Sequence, residues 1–366
     1  MQRRLSVFLG ICIVLIPVFI LYHNYLEAAE REDSYVSLDV NNPISFGTYP
    51  QTLVVDNSLL HELSFLQLDW IYFNDCYSGK DFYGTMQETE CMKYADVEYK
   101  DNKYRAVVIE RYRPESTLSP ATSEESLQDD NGFDLNKTYW FLFEPIKWYI
   151  VSLDDGFIVS EKILDAMPYN NRLFWIDRNM DGIPNSNTEL SATEWFFLPS
   201  NLYKTCSVRK WMNNEFYSKA FTKEEQKQVK KKGYRTDESK TKNQYGLLSM
   251  NYDKVFLPSL RSVSEPNSSM KQFYPHWNGK LEYAPITDYA RCRGAFSEYE
   301  RNGYYSWQWL CTPGDGAADV ISINTKYQLI NADRQFYSSC YVGGIRCAAY
   351  LKYPDRLIEQ TEVNLQ

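Results

Sequence analysis

Asp177, Asn179 and Asp181 have the clearest capacity for chemistry, because they place side-chain oxygens at alternate positions ahead of Gly182. Oxygen ligands spaced by two, followed by a glycine, let a short loop wrap a hard cation, so this stretch reads as a calcium loop with Glu189 as a later carboxylate. Thr188 stands where the twelfth position of an EF-hand loop needs a bidentate acid. Asp, Asn and Gly are also the residues of Asx turns, so a loop held by its own hydrogen bonds is the competing reading. Calcium is the one cofactor this sequence raises.

The second group is aromatic. Tyr304, Tyr305, Trp307 and Trp309 fall close together, and strand alternation puts Trp307 and Trp309 on one face with Tyr304 and Gln308 on the other. With Arg346 they are the candidate ligand-binding set, a platform on which a sugar or peptide could stack. Core packing is the commoner fate of such rings, and a buried hydrogen-bonded position is the ordinary role of an arginine in a closing strand. A phosphate-cradling glycine loop, HExxH and GxSxG are all missing from the chain, and no catalytic residue is assigned.

Composition narrows the class. The chain has 366 residues, 44% of them apolar and 24% charged, with a formal charge of -9, which describes a globular protein and argues against nucleic acid. Lys230, Lys231 and Lys232 fall at the expected end of a helix, where a cluster of cations suits the helix dipole. Arg3 and Arg4 precede an apolar run over residues 5–22. That pattern is a signal peptide or, by preference, an uncleaved signal anchor over residues 1–27, and its basic flank sends the bulk of the chain outside the cytoplasm. Residues 28–43 read as a tether and 354–366 as a tail. Export favours disulfides among the seven cysteines beyond Cys12, with Cys76 and Cys91 among the candidates, although spacing leaves connectivity open. Three scattered histidines and no CxxC pair leave no zinc set.

The elements that must position these groups are short. A strand is expected over residues 44–52, a helix over 58–69 capped by Ser58, and a hairpin over 92–112. Residues 114–134 read as an exposed loop. Strand runs follow at 139–144, 146–153 and, after the Asp154-Asp155-Gly156 turn, 157–160. Ser207 opens a helix through Trp211 and Phe216, Thr222 with Glu225 forms a capping box, and a short helix covers 287–295. The sum is an α+β, β-rich chain with a few short helices, completed by strands within 304–351.

Several segments in order carry a resemblance: Phe46-Gly47-Thr48-Tyr49-Pro50-Gln51, Lys103-Tyr104-Arg105-Ala106-Val107, Tyr112-Arg113-Pro114, Glu144-Pro145-Ile146-Lys147-Trp148 and Asp288-Tyr289-Ala290-Arg291-Cys292-Arg293-Gly294. Together they resemble an exported bacterial family called domain of unknown function 6273, over most of residues 44–352. The chain departs from that pattern where Cys311 and Cys347 replace the family's usual Arg and Pro. The double replacement implies a Cys311–Cys347 disulfide if the two elements are neighbours. The closing Gly344-Ile345-Arg346-Cys347-Ala348 also resembles the end of formylglycine-generating sulfatase-modifying domains, which have a C-type-lectin-like fold. That likeness implies one domain over 44–353, with a lectin-like core at 138–353 and an insertion at 54–137, and it sets residues 44–46 beside 345–350. The expected role is a membrane-tethered, cell-surface binding protein for a glycan, cell-wall or protein ligand. The alternatives are a thiol-dependent oxidoreductase using Cys340 and Cys347, or a structural envelope component.

Overall fold

A computed structural model of the chain describes residues 43–75, 77–78, 87–88, 90–113, 127–170, 174–176, 197–199, 201–235, 250–264, 284–300, 303–314, 319–323, 335–337, 342–354 and 357. The chain divides into two units, Met1–Asn42 and Pro43–Gln366, and every described residue lies in the second. Among the described residues no helix is long and apolar enough to cross a membrane. The apolar run at 5–22, expected as a helix, lies outside them.

The larger sheet is assembled from β1 (Ile44–Leu53), β2 (Ile71–Tyr72), β3 (Met92–Tyr99), β4 (Asn102–Ile109), β5 (Thr138–Ser152) and β6 (Phe157–Ser160), joined by two strands from later in the chain. A smaller sheet begins with β7 (Asp165–Met167). The later strands are β8 (Val255–Phe256), β9 (Gln308–Pro313), β10 (Asp319–Ile323), β11 (Gln335–Tyr337), β12 (Gly343–Ile345) and β13 (Ala348–Tyr350). The larger sheet runs β8-β13-β6-β5-β4-β3-β2 with β1 paired to β5, and the smaller runs β11-β10-β9-β12-β7. The protein is therefore β-rich with a few short helices.

Strand β5 is the hub. Its Phe141 and Leu142 pair with both β1 and β4, and its Trp148 pairs with both β1 and β6. Strand β1 thus takes one edge of β5, while β4 and β6 follow one another along the other. Two strands are expected from sequence where one long strand forms. Pro145 does not interrupt it because the ladder to β1 is already shifted between Ser45 and Thr48, next to the Thr48–Pro145 pair.

The expected pairing of residues 44–46 with 345–350 does not occur. Strand β13 has both edges occupied, by β6 and β8, and β12 lies between β9 and β7, so neither leaves an edge for β1. The residues expected as an insertion, 54–137, supply β2, β3 and β4 on one side of β5.

The hairpin β3–β4 turns through Lys100 and Asp101, both at positive φ, as a tight two-residue connection requires. Residues 104–109 of β4 are all buried, so both faces of the sheet are covered there. Helix α1 (Asn57–Leu63) covers one of them, packing Leu63 with Tyr104, Ala106 and Trp140. It starts a residue earlier than expected because Asp56, not Ser58, is the cap, accepting from the Ser58 and Leu59 amides at 2.8 and 3.0 Å. It also ends at Leu63 rather than near residue 69. The other face carries the main core, where Trp148 is fully buried and donates Nε1–H to the Phe46 carbonyl at 2.7 Å.

In the described end of the expected exposed loop, Asp129, Asp130, Gly132 and Asp134 are exposed, but two side chains anchor it inward. Gln128 and Phe133 are both in the interior, and Gln128 Nε2 donates to the Cys292 carbonyl at 2.7 Å while its Oε1 accepts from the Arg113 amide at 2.7 Å.

One glycine is dictated by the close of the larger sheet. Gly156 has φ +71 and a Cβ built there would sit 2.0 Å from the Leu351 carbonyl oxygen, a backbone atom with nowhere to go. Gly156→Ala should lower stability by about 3 kcal/mol or more, combining left-handed strain with forced separation of the β6–β13 register. Urea denaturation against the parent protein measures it.

Candidate functional site

The side chains with unusual chemistry converge where the two sheets meet helix α5 (Asp288–Cys292); helices α2 (Ser207–Trp211), α3 (Tyr217–Ala220) and α4 (Lys223–Gln228) precede it. Asp75, Arg105, Arg113, Asp165 and Arg293 each have 3% or less of their surface exposed, which makes this a cluster of buried charge rather than a solvated patch. Burying an ion costs several kcal/mol unless partners replace water, so every hydrogen bond matters.

Arg293, the residue following α5, joins the elements. Its Nε donates to Asp165 Oδ1 at 3.0 Å, and its Nη2 donates to Asp75 Oδ2. Asp165 opens β7, and its other oxygen accepts from the Tyr49 hydroxyl of β1 at 2.7 Å. Burial first, and then the Asp165 charge, push the Tyr49 phenol well above its ordinary pKa, so it stays a neutral donor. Arg113 supports the same corner, donating to the Arg293 and Asp75 backbone carbonyls, each at 2.9 Å. Arg105 is held by the hairpin: Asp96 is its cross-strand partner and binds it through two bonds of 2.6 and 2.8 Å, and its Nη1 reaches the Tyr289 hydroxyl at 2.9 Å.

Above this floor lies an open cleft of about 170 Å³, room for several waters or one small ligand group. Tyr49, Asp75, Arg105, Asp165, Tyr289 and Arg293 form its buried part. Its other wall comes from α2, a π-helical segment Met212–Phe216 and α3, which bring Trp211, Glu215, Phe216 and Lys219 to the cleft. π segments inside α-helices recur at functional sites because they re-aim side chains off the regular stripe. At the rim Lys219 Nζ donates to the Tyr94 hydroxyl at 2.6 Å, and Asn74 Nδ2 to Glu215 Oε1 at 3.1 Å.

Asp75 is the uneven member. Burial alone would raise its carboxyl, but the Arg293 and Arg113 charges outweigh burial and hold it below its ordinary value, so it is ionised at neutral pH. Both guanidiniums reach Oδ2, whereas Oδ1 is buried and accepts no side-chain hydrogen bond from the described residues.

Residues 190–353 match the family described as Domain of unknown function (DUF6273). Comparison with curated proteins finds no match, and comparison with solved structures finds none. The DUF6273 region supplies Trp211, Glu215, Lys219, Tyr289 and Arg293 to the cleft, whereas Tyr49, Asp75, Tyr94, Arg105 and Asp165 precede it. The resembling segments between Phe46 and Trp148 also lie ahead of the matched region.

The residues singled out from sequence go elsewhere. Trp307 and Trp309 are buried, at right angles with centroids 4.9 Å apart, and Trp309 Nε1 donates to the Met167 carbonyl at 3.0 Å, so they pack the smaller sheet and offer no stacking surface. The backbone makes room for them: a Cβ on Gly343 would meet Trp309 Nε1 at 2.3 Å. Tyr304 is partly exposed, with the Arg291 guanidinium 3.3 Å over its ring, and Tyr305 packs against the main core. Arg346 is buried, its Nε donating to the Ser160 carbonyl at 2.7 Å. None of these five residues lines the cleft.

Cys311 and Cys347 are not joined in a disulfide. Strands β9 and β12 are indeed neighbours, but past Ile345 the chain leaves that sheet: the Cys347 carbonyl accepts from the Ser160 amide of the other one, and its N–H donates to Ser160 Oγ. Burial pushes the Cys206 thiol up to about 12 and the Cys292 and Cys347 thiols higher still, the reverse of the lowered pKa a nucleophilic cysteine needs. Cys91 is likewise outside any disulfide. Cys76, Cys340 and the calcium set Asp177, Asn179, Asp181 and Glu189 lie outside the described residues. Among the described residues no group of three or more His, Cys, Asp or Glu is arranged to hold a metal ion.

Sequence reading missed the floor of the cleft, although part of it left a signal. Arg105 interrupts the apolar run 104–109, and Asp165 interrupts 163–167, where a charge inside a strand needs a partner. Asp75, in Phe73-Asn74-Asp75-Cys76, has no such context.

Two outcomes test this description. Arg293→Met should destabilise the protein by about 3–5 kcal/mol, since it strands two buried carboxylates, whereas Lys219→Met at the rim should cost under about 1 kcal/mol; urea denaturation separates them. The second is acid sensitivity. Because the Asp75 pKa is lowered in the fold, its stabilisation is complete above the unfolded value of about 3.9 and disappears as pH falls through the folded value. The stability of Asp75→Asn should therefore change less steeply below about pH 4 than that of the parent.

Proposed function

We propose that the protein is an exported, membrane-tethered binding protein of the cell surface whose recognition site is the cleft over Asp75. One observation carries the reading: an open cleft of about 170 Å³ has a floor of buried, mutually paired charges and a rim of Trp211, Glu215 and Lys219. A floor held in that way is preorganised, which is how a small concave site gains affinity without ordering itself on binding. Export and tethering rest on Arg3 and Arg4 ahead of the apolar run at 5–22. Within this proposal residues 138–353 are a lectin-like scaffold by the resemblance of their closing segment, with strand order governed by β5 rather than by paired ends.

Protease added to intact cells should cleave the folded part, and fractionation should leave the chain with the membrane. Purified full-length chain in detergent should bind at least one glycan, peptidoglycan fragment or peptide saturably, and Trp211→Ala should weaken that binding by about tenfold or more, the loss of one aromatic contact. Absence of saturation by every probe up to about 10 mM, a limit corresponding to no useful affinity, would sink the reading.

A further inference from the structure

We propose that the cleft and the open edge of β2 form one site for an extended peptide, which pairs its backbone with β2 and turns an apolar side chain toward the cleft. This rests on the reading of the cleft as a binding site and adds the class of ligand.

The ladder identifies the open edge. Strand β2 ends the larger sheet, and among the described residues β3 is its only partner. Ile71 lies opposite Tyr94 and Tyr72 opposite Lys93, while the Phe73 amide donates to the Met92 carbonyl at 3.0 Å. Antiparallel partners alternate between bonded and unbonded pairs, so a bonded Phe73–Met92 pair turns the Tyr72 N–H and C=O away from β3. Among the described residues neither group has a partner, and the one hydrogen bond of Tyr72 outside the ladder runs from its hydroxyl to Glu110. Trp70, Ile71 and Tyr72 are 36%, 55% and 39% exposed, so this is an apolar edge open to solvent. Folded proteins ordinarily blunt such an edge with charge, proline or a covering element, because it invites pairing with another backbone. Beside a cleft, an open edge is the element that strand addition uses.

The cleft supplies the selectivity. Ile71 and Phe73 alternate with Tyr72 and share a sheet face with Tyr94, and all three side chains line the cleft. A peptide residue bonded to Tyr72 has neighbours opposite Ile71 and Phe73, and their side chains lie on that same face. Seven of the fifteen lining residues are aromatic, which favours an apolar side chain there. The charges of the floor are matched within the protein, Arg293 with Asp75 and Asp165, and Arg105 with Asp96. At the rim Glu215 and Lys219 pair with each other at 3.7 Å, so no unmatched charge draws an ionic ligand. A sugar ring can stack on Trp211, but only a polypeptide presents N–H and C=O together at strand spacing and sends alternate side chains to one face.

The test uses full-length chain in detergent micelles, with calorimetric heat and amide hydrogen exchange as readouts. The probes are capped peptides about nine residues long, of alternating threonine and valine with a lysine at each end for solubility. Their central residue is tyrosine, leucine, lysine or glutamate, and cello- and chito-oligosaccharides are run alongside. Saturation by the tyrosine or leucine peptide, with slowed exchange of the Tyr72 amide, is the expected result. N-methylation of both residues flanking the centre should weaken binding about tenfold or more, since it removes hydrogen bonds to the edge. N-methylation of the central residue, whose N–H faces away from β2, should change affinity less than about threefold. Tyr72→Pro, a substitution an edge strand tolerates where its N–H faces solvent, should abolish binding, whereas Tyr72→Ala should retain it. Should Tyr72→Pro not fold, the two methylated peptides decide, and equal affinity for both overturns the inference. Saturation only by the oligosaccharides, or only by the lysine or glutamate peptide, also overturns it while leaving the cleft a binding site. Silence from every probe overturns both.

Discussion

Arg293 imposes the constraint on which the rest of the structure depends. One guanidinium binds two carboxylates that arrive from different parts of the fold, Asp75 beside the larger sheet and Asp165 in the smaller one, 218 and 128 residues away in the chain. Both contacts are buried, so neither acid can be hydrated if the arginine moves, and the alternative to the correct three-way junction is an unpaired buried charge. A lysine in that position would supply a point charge but not the fork that reaches two acids at once. The junction of the two sheets with α5 is therefore specified electrostatically as well as by packing. Arg113 repeats the logic one layer out, binding backbone carbonyls of Asp75, Arg293 and Ala166.

The opposite wall is built by different means. Helices α2 and α3 with the π segment between them are anchored through Asn213, which donates to the Val255 carbonyl at 2.8 Å and accepts from the Lys254 amide at 2.9 Å. Arg209 adds a paired contact to the buried Asp253 at 3.0 and 2.8 Å. With that face fixed, Trp211, Glu215 and Lys219, at i, i+4 and i+8, are presented to the cleft. Their contacts to one another and to Asn74 and Tyr94 are partly exposed, so this wall can adjust its side chains while the floor cannot. A rigid polar floor facing an adaptable rim is the division expected of a site that must admit a ligand without rebuilding its core.

Much of the local structure was legible because local rules govern it. The hairpin at 92–112, the Thr222–Glu225 capping box and the Thr287-capped helix follow from turn and cap chemistry acting over a few residues. What could not be read is what long-range pairing decides. Nothing near Pro145 says that β1 will have its register shifted there, and nothing in Gly344-Ile345-Arg346-Cys347 says that the chain changes sheets between Ile345 and Cys347. The aromatic cluster at 304–309 drew attention because tryptophans are conspicuous in a sequence, yet their size is what places Trp307 and Trp309 in the interior. The functional candidates turned out to be ordinary Asp and Arg residues, most of which become unusual only when folding removes water from them.

That removal of water bears most directly on Asp75 Oδ1. A network serving stability alone gains by satisfying every lone pair, because each unsatisfied buried polar atom costs about 1–3 kcal/mol and more when charged. Oδ2 is engaged by both guanidiniums, so donors were within reach of this carboxylate, and the second oxygen was left out of their grip. Tyr169, beside Trp309 in the packed core and away from the cleft, is a contrasting case, its buried hydroxyl bonded to the Cys206 thiol. The arginines thus hold the Asp75 charge through one oxygen in the buried floor, and that fixed arrangement is what the adaptable rim faces.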